Sequence, residues 1–278
     1  MDSAMKEKIR LIIEHYKMNF DETNEKERYK WEAIKCYKDN WNINAPNFAL
    51  MLTKSFSKAE NLLDSFRYYP HKVLLDFANA YPEDVRGLFR ILHDETLPLD
   101  ERLEAFADGF AKWTDELKSK NKEGKEFQSY QDIRAMMVYL TFQYPEKYFF
   151  FKSSMYETFK DRIGYIEDKT KSKVNNYNSM CEIILEEANN DIELIEMSKA
   201  RLDNNCYKDE KLHLLTMDIV YFGYAYDVKE LGWLLTWNPA NWEWKDFDSW
   251  CERTKKGENT VLDGVAKVKN QNLVTMYF

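Results

Sequence analysis

Five of the chain's eight tryptophans lie within the eighteen residues from Trp233 to Trp250, after more than two hundred residues whose apolar positions recur at helical spacing. Indole is the bulkiest side chain, so such a density needs either a packed core of its own or a surface that uses the ring faces. The change of pattern predicts a second folding unit that opens near residue 228. Its first strand is Trp233-Leu-Leu-Thr-Trp237, closed by the turn pair Asn238-Pro239, and the chain finishes at Leu273-Val-Thr-Met-Tyr-Phe278. A closed barrel takes several strands of about five or six residues plus their turns, so the second unit is expected to be incomplete here. The expected organisation is mainly α: a multi-helix bundle over residues 1–227, then the beginning of a β domain over 228–278.

The long first part supports that expectation residue by residue. Ile9, Ile12, Ile13 and Tyr16 share one helical face. A second helix is predicted over 25–41, with Tyr29, Ile34, Tyr37 and Trp41 in its stripe and Trp31 and Ala33 to the side. Asn44 or Asn47 can cap the next helix, which carries Phe48, Met51, Leu52 and Phe56. Pro70 and Pro82 each precede an apolar helical pattern, as suits a residue without an N–H in a first turn. Leu103, Phe106, Phe110, Trp113 and Leu117 mark a longer helix, followed by a polar loop with Gly124 over 118–128. Helix resumes over 131–143. The run Tyr148-Phe-Phe-Phe-Lys152 reads equally as a strand or a buried extended segment. Further helices are predicted over 155–163, 174–189, 192–203 and 210–226.

Composition narrows the chemistry. The net charge of −8 comes from the long helical part, which disfavours nonspecific contact with phosphate backbones unless charge segregates by face. Cys36, Cys181, Cys206 and Cys251 form no CxxC pair, and there is no secretory signal or apolar run long enough to span a membrane, so a reducing cytoplasm is expected. His15, His71, His93 and His213 have no metal-ligand spacing, and no phosphate-cradling glycine loop of the Walker type exists, so no cofactor and no motor are expected. Glu116/Lys118, Glu123/Lys125 and Glu167/Lys169 match the Glu-x-Lys triplet of metal-dependent nucleases. In a chain that is 32% charged such triplets arise by chance, and these fall on helical or loop segments rather than adjoining strands.

The tryptophan cluster has the most specific physical content, because an extruded base can be held between aromatic faces. Trp233 and Trp237 alternate in an apolar strand, as core residues do. Trp242 and Trp244 are therefore the better candidates for base contact, with Arg253, Lys255 and Lys256 as candidates for phosphate. The competing reading is a barrel core that uses indole for bulk, flanked by a solvated charged turn.

A family resemblance rests on Tyr29-Lys-Trp31 with Trp41, Asn47-Phe48, Asn61-Leu62-Leu63 and Pro82-Glu83-Asp84-Val85-Arg86 with Phe89 and Asp94-Glu95. It continues in Tyr130-Gln131-Asp132 and Tyr144-Pro145-Glu146-Lys147-Tyr148. This series resembles the helical N-terminal region of McrB-like proteins of bacterial modification-dependent (type IV) restriction systems, over roughly residues 5–226. Trp233-Leu-Leu-Thr-Trp237-Asn-Pro239 with Trp242 looks like the first strand of the EVE-type, PUA-like domains that follow in such proteins and bind a modified base flipped out of DNA. The resemblance implies modified DNA as a ligand, with an AAA+ motor and a separate nuclease as partners, neither of them encoded in these residues. The competing class, favoured by the acidity of the bundle, is a helical protein-interaction module that binds a partner subunit and no DNA.

Overall fold

The computed structural model describes residues 3–120 and 128–225. Of the loop predicted over 118–128, residues 118–120 instead continue a helix and 121–127 lie outside the described residues, as do the boundary expected near 228 and the strand expected at Trp233. Thirteen helices are present among those described. In the first half they are α1 (Ser3–Met18), α2 (Phe20–Glu27), α3 (Tyr29–Asn40), α4 (Phe48–Ser55), α5 (Glu60–Leu63), α6 (Pro70–Ala80) and α7 (Pro82–Leu92). The second half contains α8 (Leu99–Lys120), α9 (Ile133–Gln143), α10 (Ser153–Ile163), α11 (Lys173–Asn189), α12 (Ile192–Ala200) and α13 (His213–Ala225). No strand occurs among the described residues. A single bridge closes the two-residue turn between Ser65 and Tyr68.

Local chemistry sets the helix ends. Of the two candidate caps, Asn47 is the one used, accepting the Leu50 N–H at 2.9 Å. Asp132, Ser172 and Asp191 cap α9, α11 and α12 in the same way. Pro70 and Pro82 open α6 and α7 as expected. Gly164 ends α10 with φ of 76°, a left-handed conformation natural to glycine.

Three expectations need correction. The helix predicted over 25–41 is two helices: at Arg28 the turn tightens, with the Trp31 N–H bonded to the Arg28 carbonyl at 3.0 Å. Trp31, placed to the side of the stripe, is fully buried, because α3 is covered on more than one face. The last two predicted helices are shorter than expected. α12 stops at Ala200, and α13 waits until Leu212, at φ of 60°, has turned the chain and Asp209 has accepted the Leu215 N–H at 2.8 Å.

Two helices buried on nearly all sides organise the core, as all-round apolar helices do. α9 is buried continuously from Ala135 to Phe142. Its Tyr139 and Phe142 meet Phe56, Phe89, Phe106 and Tyr37 in one aromatic cluster. α13 is buried continuously from His213 to Val220 and packs against α1, α10 and α11. At Gly223 it approaches α10 so closely that a Cβ there would lie 2.4 Å from the Phe159 ring. α3 serves both groups: Tyr37 joins the α9 cluster, while Lys30 reaches Asp218 of α13.

The segment Tyr148-Phe-Phe-Phe-Lys152 is the buried extended alternative, not a strand. At its centre the backbone bonds to side chains: the Phe150 N–H points at Met217 Sδ, and the Phe150 carbonyl accepts from the Tyr177 hydroxyl at 2.7 Å.

His93, at the end of α7, lies among Trp41, Phe89 and Tyr144, and its Nε2 is buried without a partner. Burial, reinforced by the charge of Arg102, pushes the imidazole pKa from 6.5 down to about 3. Below 6.5 the unfolded chain takes up a proton that the folded ring refuses, so stability falls as pH drops from 6.5 towards 3. Urea unfolding near pH 7 and near pH 5 should show this group costing the wild type about 2 kcal/mol over that interval, a loss absent from His93→Phe. Equal pH dependence in the two proteins would contradict the assignment.

Candidate functional site

The apolar stretch Leu214-Leu-Thr-Met-Asp-Ile-Val-Tyr-Phe222 contains one acid, Asp218, and it is fully buried. A carboxylate there costs several kcal/mol in desolvation unless it is paired in place. The chain brings three donors to it. The Tyr16 hydroxyl of α1 donates at 2.7 Å, the Lys30 ammonium of α3 at 2.7 Å, and Arg201, just after α12, approaches at 3.4 Å. Lys30 is also paired with buried Glu27 of α2 at 2.9 Å. The Arg201 guanidinium lies 3.9 Å from the Trp31 ring centroid and 4.9 Å from that of Phe20. Two acids and two bases thus balance inside the core.

The titration directions agree with that geometry. Burial by itself raises the Asp218 carboxyl, but Lys30 and Arg201 outweigh it and the net shift is downward. Burial by itself lowers the Lys30 ammonium, but Asp218 and Glu27 outweigh it and hold it protonated. Burial, with the Asp218 charge adding, pushes the Tyr16 hydroxyl well up, so it remains a donor.

Lys30 also forms one wall of a recessed cavity of about 130 Å³. Its polar lining is Tyr29, Lys30, Asn61, Arg134, Lys152 and Tyr221, and its apolar lining includes Val138, Phe150, Phe151, Met155 and Met217. Among the described residues no aspartate or glutamate lines it. Two larger depressions, of about 340 and 580 Å³, are each lined by carboxylates as well as cations. The three cations differ in compensation. Lys30 is neutralised from behind by Asp218 and Glu27, and its ammonium lies 4.5 Å from the Tyr221 ring centroid. Arg134 lies over the Tyr68 ring at 4.5 Å, with one long contact to the Leu62 carbonyl at 3.4 Å. Lys152 lies over the Tyr224 ring at 5.1 Å, with its hydroxyl at 3.4 Å. Among the described residues neither Arg134 nor Lys152 has a carboxylate within ion-pair distance.

The five residues singled out from sequence, Trp242, Trp244, Arg253, Lys255 and Lys256, lie outside the described residues. Of the nuclease-like triplets, Glu116 and Lys118 sit on exposed positions of α8, and Glu167 accepts from the Tyr156 hydroxyl at 2.6 Å. No group of three potential metal ligands occurs among the described residues. No helix among them is long and apolar enough to cross a membrane. Sequence reasoning missed Asp218, whose signal was a lone acid in an apolar run. It also missed Arg134 and Lys152, which carry no local signal because they come from separate elements.

The buried network predicts strong coupling. Asp218→Asn and Lys30→Met should each destabilise the protein by about 3–5 kcal/mol, because each leaves buried charge uncompensated. The double variant should cost at least about 1 kcal/mol less than the sum of the two. Thermal or urea unfolding of the four proteins measures this, and strict additivity would contradict a direct pair.

Compared with known proteins, the chain matches no family model, no curated protein and no solved structure.

Proposed function

We propose that this chain is a noncatalytic specificity and assembly portion of a bacterial modification-dependent restriction protein, acting in the cytoplasm and contributing to recognition of modified DNA. The supporting observation is that residues carrying the McrB-like resemblance, far apart in sequence, depend on one another. Buried Arg86 donates to the carbonyls of Ile43 and Ala45 and lies over the Phe48 ring. Trp41 meets Phe48 and Phe89. Glu95 gathers Arg102, Lys147 and Tyr148 at one corner, and Gln131 and Asp132 tie α9 to the Pro70 carbonyl and the Tyr68 hydroxyl. Tyr29, Lys30, Asn61 and Leu62 of the same series line the cavity. A set of residues that maintains one architecture is what a shared fold would retain.

In this reading Trp242 and Trp244 stack on a base, and Arg253, Lys255 and Lys256 meet phosphates. The motor and nuclease are supplied by other parts of the system. The alternative, a helical module that binds a partner subunit and no DNA, is favoured by one surface feature. Phe66 is 84% exposed at the tip of the turn between Ser65 and Tyr68, beside Arg67 at φ of 62°. An exposed ring on a tight turn suits insertion into a protein partner.

Binding of the full chain to methylated and unmethylated duplexes across a salt series separates the two. The DNA reading expects affinity to fall with salt and the methylated duplex to bind more tightly. Replacing Arg253, Lys255 and Lys256 with glutamine should then reduce the salt slope by about 2–3. Trp242→Ala or Trp244→Ala should remove about 1–3 kcal/mol of binding if that ring stacks on a base. Absence of duplex binding at low salt would overturn the DNA reading in favour of the interaction module.

A further inference from the structure

We propose that the cavity bounded by α3, α5, α9, α10, α13 and the 148–152 segment binds a small phosphate monoester bearing one flat ring, of the aryl phosphate class. Charge is the first argument. On a chain of net charge −8, a recess with three cations and no carboxylate among its described lining residues is a local reversal of sign. Lys30 is already neutralised by Asp218 and Glu27, so the unspent charge is that of Arg134 and Lys152. Two uncompensated cations match a phosphate monoester, which carries about −1.5 to −2 at neutral pH, better than a single carboxylate. Among the described residues Arg134, with its planar fork of donors, makes one long hydrogen bond, and Lys152 likewise makes one long hydrogen bond.

Shape and lining supply the second argument. A volume of about 130 Å³ is well below the roughly 300–1,000 Å³ of pockets for drug-sized ligands, so the recess holds one ring or head group rather than a long chain. Phe150, Phe151, Met155 and Met217 offer an apolar, polarisable surface that inorganic phosphate would not use. Asn61, on the exposed side, presents both a donor and an acceptor to a ring edge. The Lys30 wall is held fixed by the buried network, so little ordering accompanies binding. The site stands on the geometry of the helical body and does not depend on the restriction reading.

Calorimetric titration of the full chain tests it, with phenyl and 4-nitrophenyl phosphates, their parent phenols and inorganic phosphate as probes. At least one monophosphate should bind. Its phenol and inorganic phosphate should each be weaker by about tenfold or more, and added salt should weaken the monophosphate. Arg134→Gln and Lys152→Met should each lower its affinity by about tenfold, while Lys118→Gln, a charge change on α8 outside the cavity, should leave it unaltered. Thermal melts of the variants check that each is folded, and the probe comparison on the wild type needs no variant. The proposal is overturned if neither monophosphate binds at millimolar concentration, or if inorganic phosphate binds as tightly. It is also overturned if Lys118→Gln lowers affinity as much as the cavity variants do.

Discussion

A carboxylate sealed inside an apolar helix must be neutralised where it stands, and this requirement at Asp218 fixes the relation of four other elements to α13. Tyr16 brings in α1, Lys30 brings in α3, Glu27 brings in the end of α2, and Arg201 brings in the end of α12. The contribution to net stability is not where the significance lies, since buried ion networks often break even against well-packed apolar residues. What such a network enforces is arrangement: a shifted register of any one helix strands a charge in the core, at a cost of several kcal/mol. The earliest and latest described helices are thereby locked into one body.

The same network shapes the surface chemistry. Lys30 is charged in the core because of Asp218, and one side of it faces the cavity. The apolar segment from Tyr148 to Phe151, which has no sheet to satisfy it, is held by Met217 and Tyr177 and forms the adjacent wall. The buried network and the recess meet at α13, whose Asp218 serves the core and whose Met217 and Tyr221 line the recess.

Much of the helical architecture was legible in the sequence, because apolar spacing and caps act locally. The prolines at 70 and 82, the cap at Asn47 and the stripe through Ile9, Ile12, Ile13 and Tyr16 all had local signatures. What was not legible depends on tertiary placement. Trp31 fell off its helical stripe because periodicity assumes one buried face, and α3 is buried on more than one. The break at Arg28 leaves every residue on either side a tolerable helix former. The extended run at Tyr148 could not be distinguished from a strand, since both hide successive side chains and only the hydrogen-bond partners differ. The cavity cations come from α3, α9 and the segment before α10, and no spacing rule joins Lys30, Arg134 and Lys152.

The claim that Asp218 locks the first and last helices together is tested most directly by native-state hydrogen exchange on Asp218→Asn. Amides of α1, α3 and α13 should lose protection together, while those of α6, α7 and α8, which do not touch the network, keep more of theirs. Loss confined to α13, or an even loss across every helix, would contradict it.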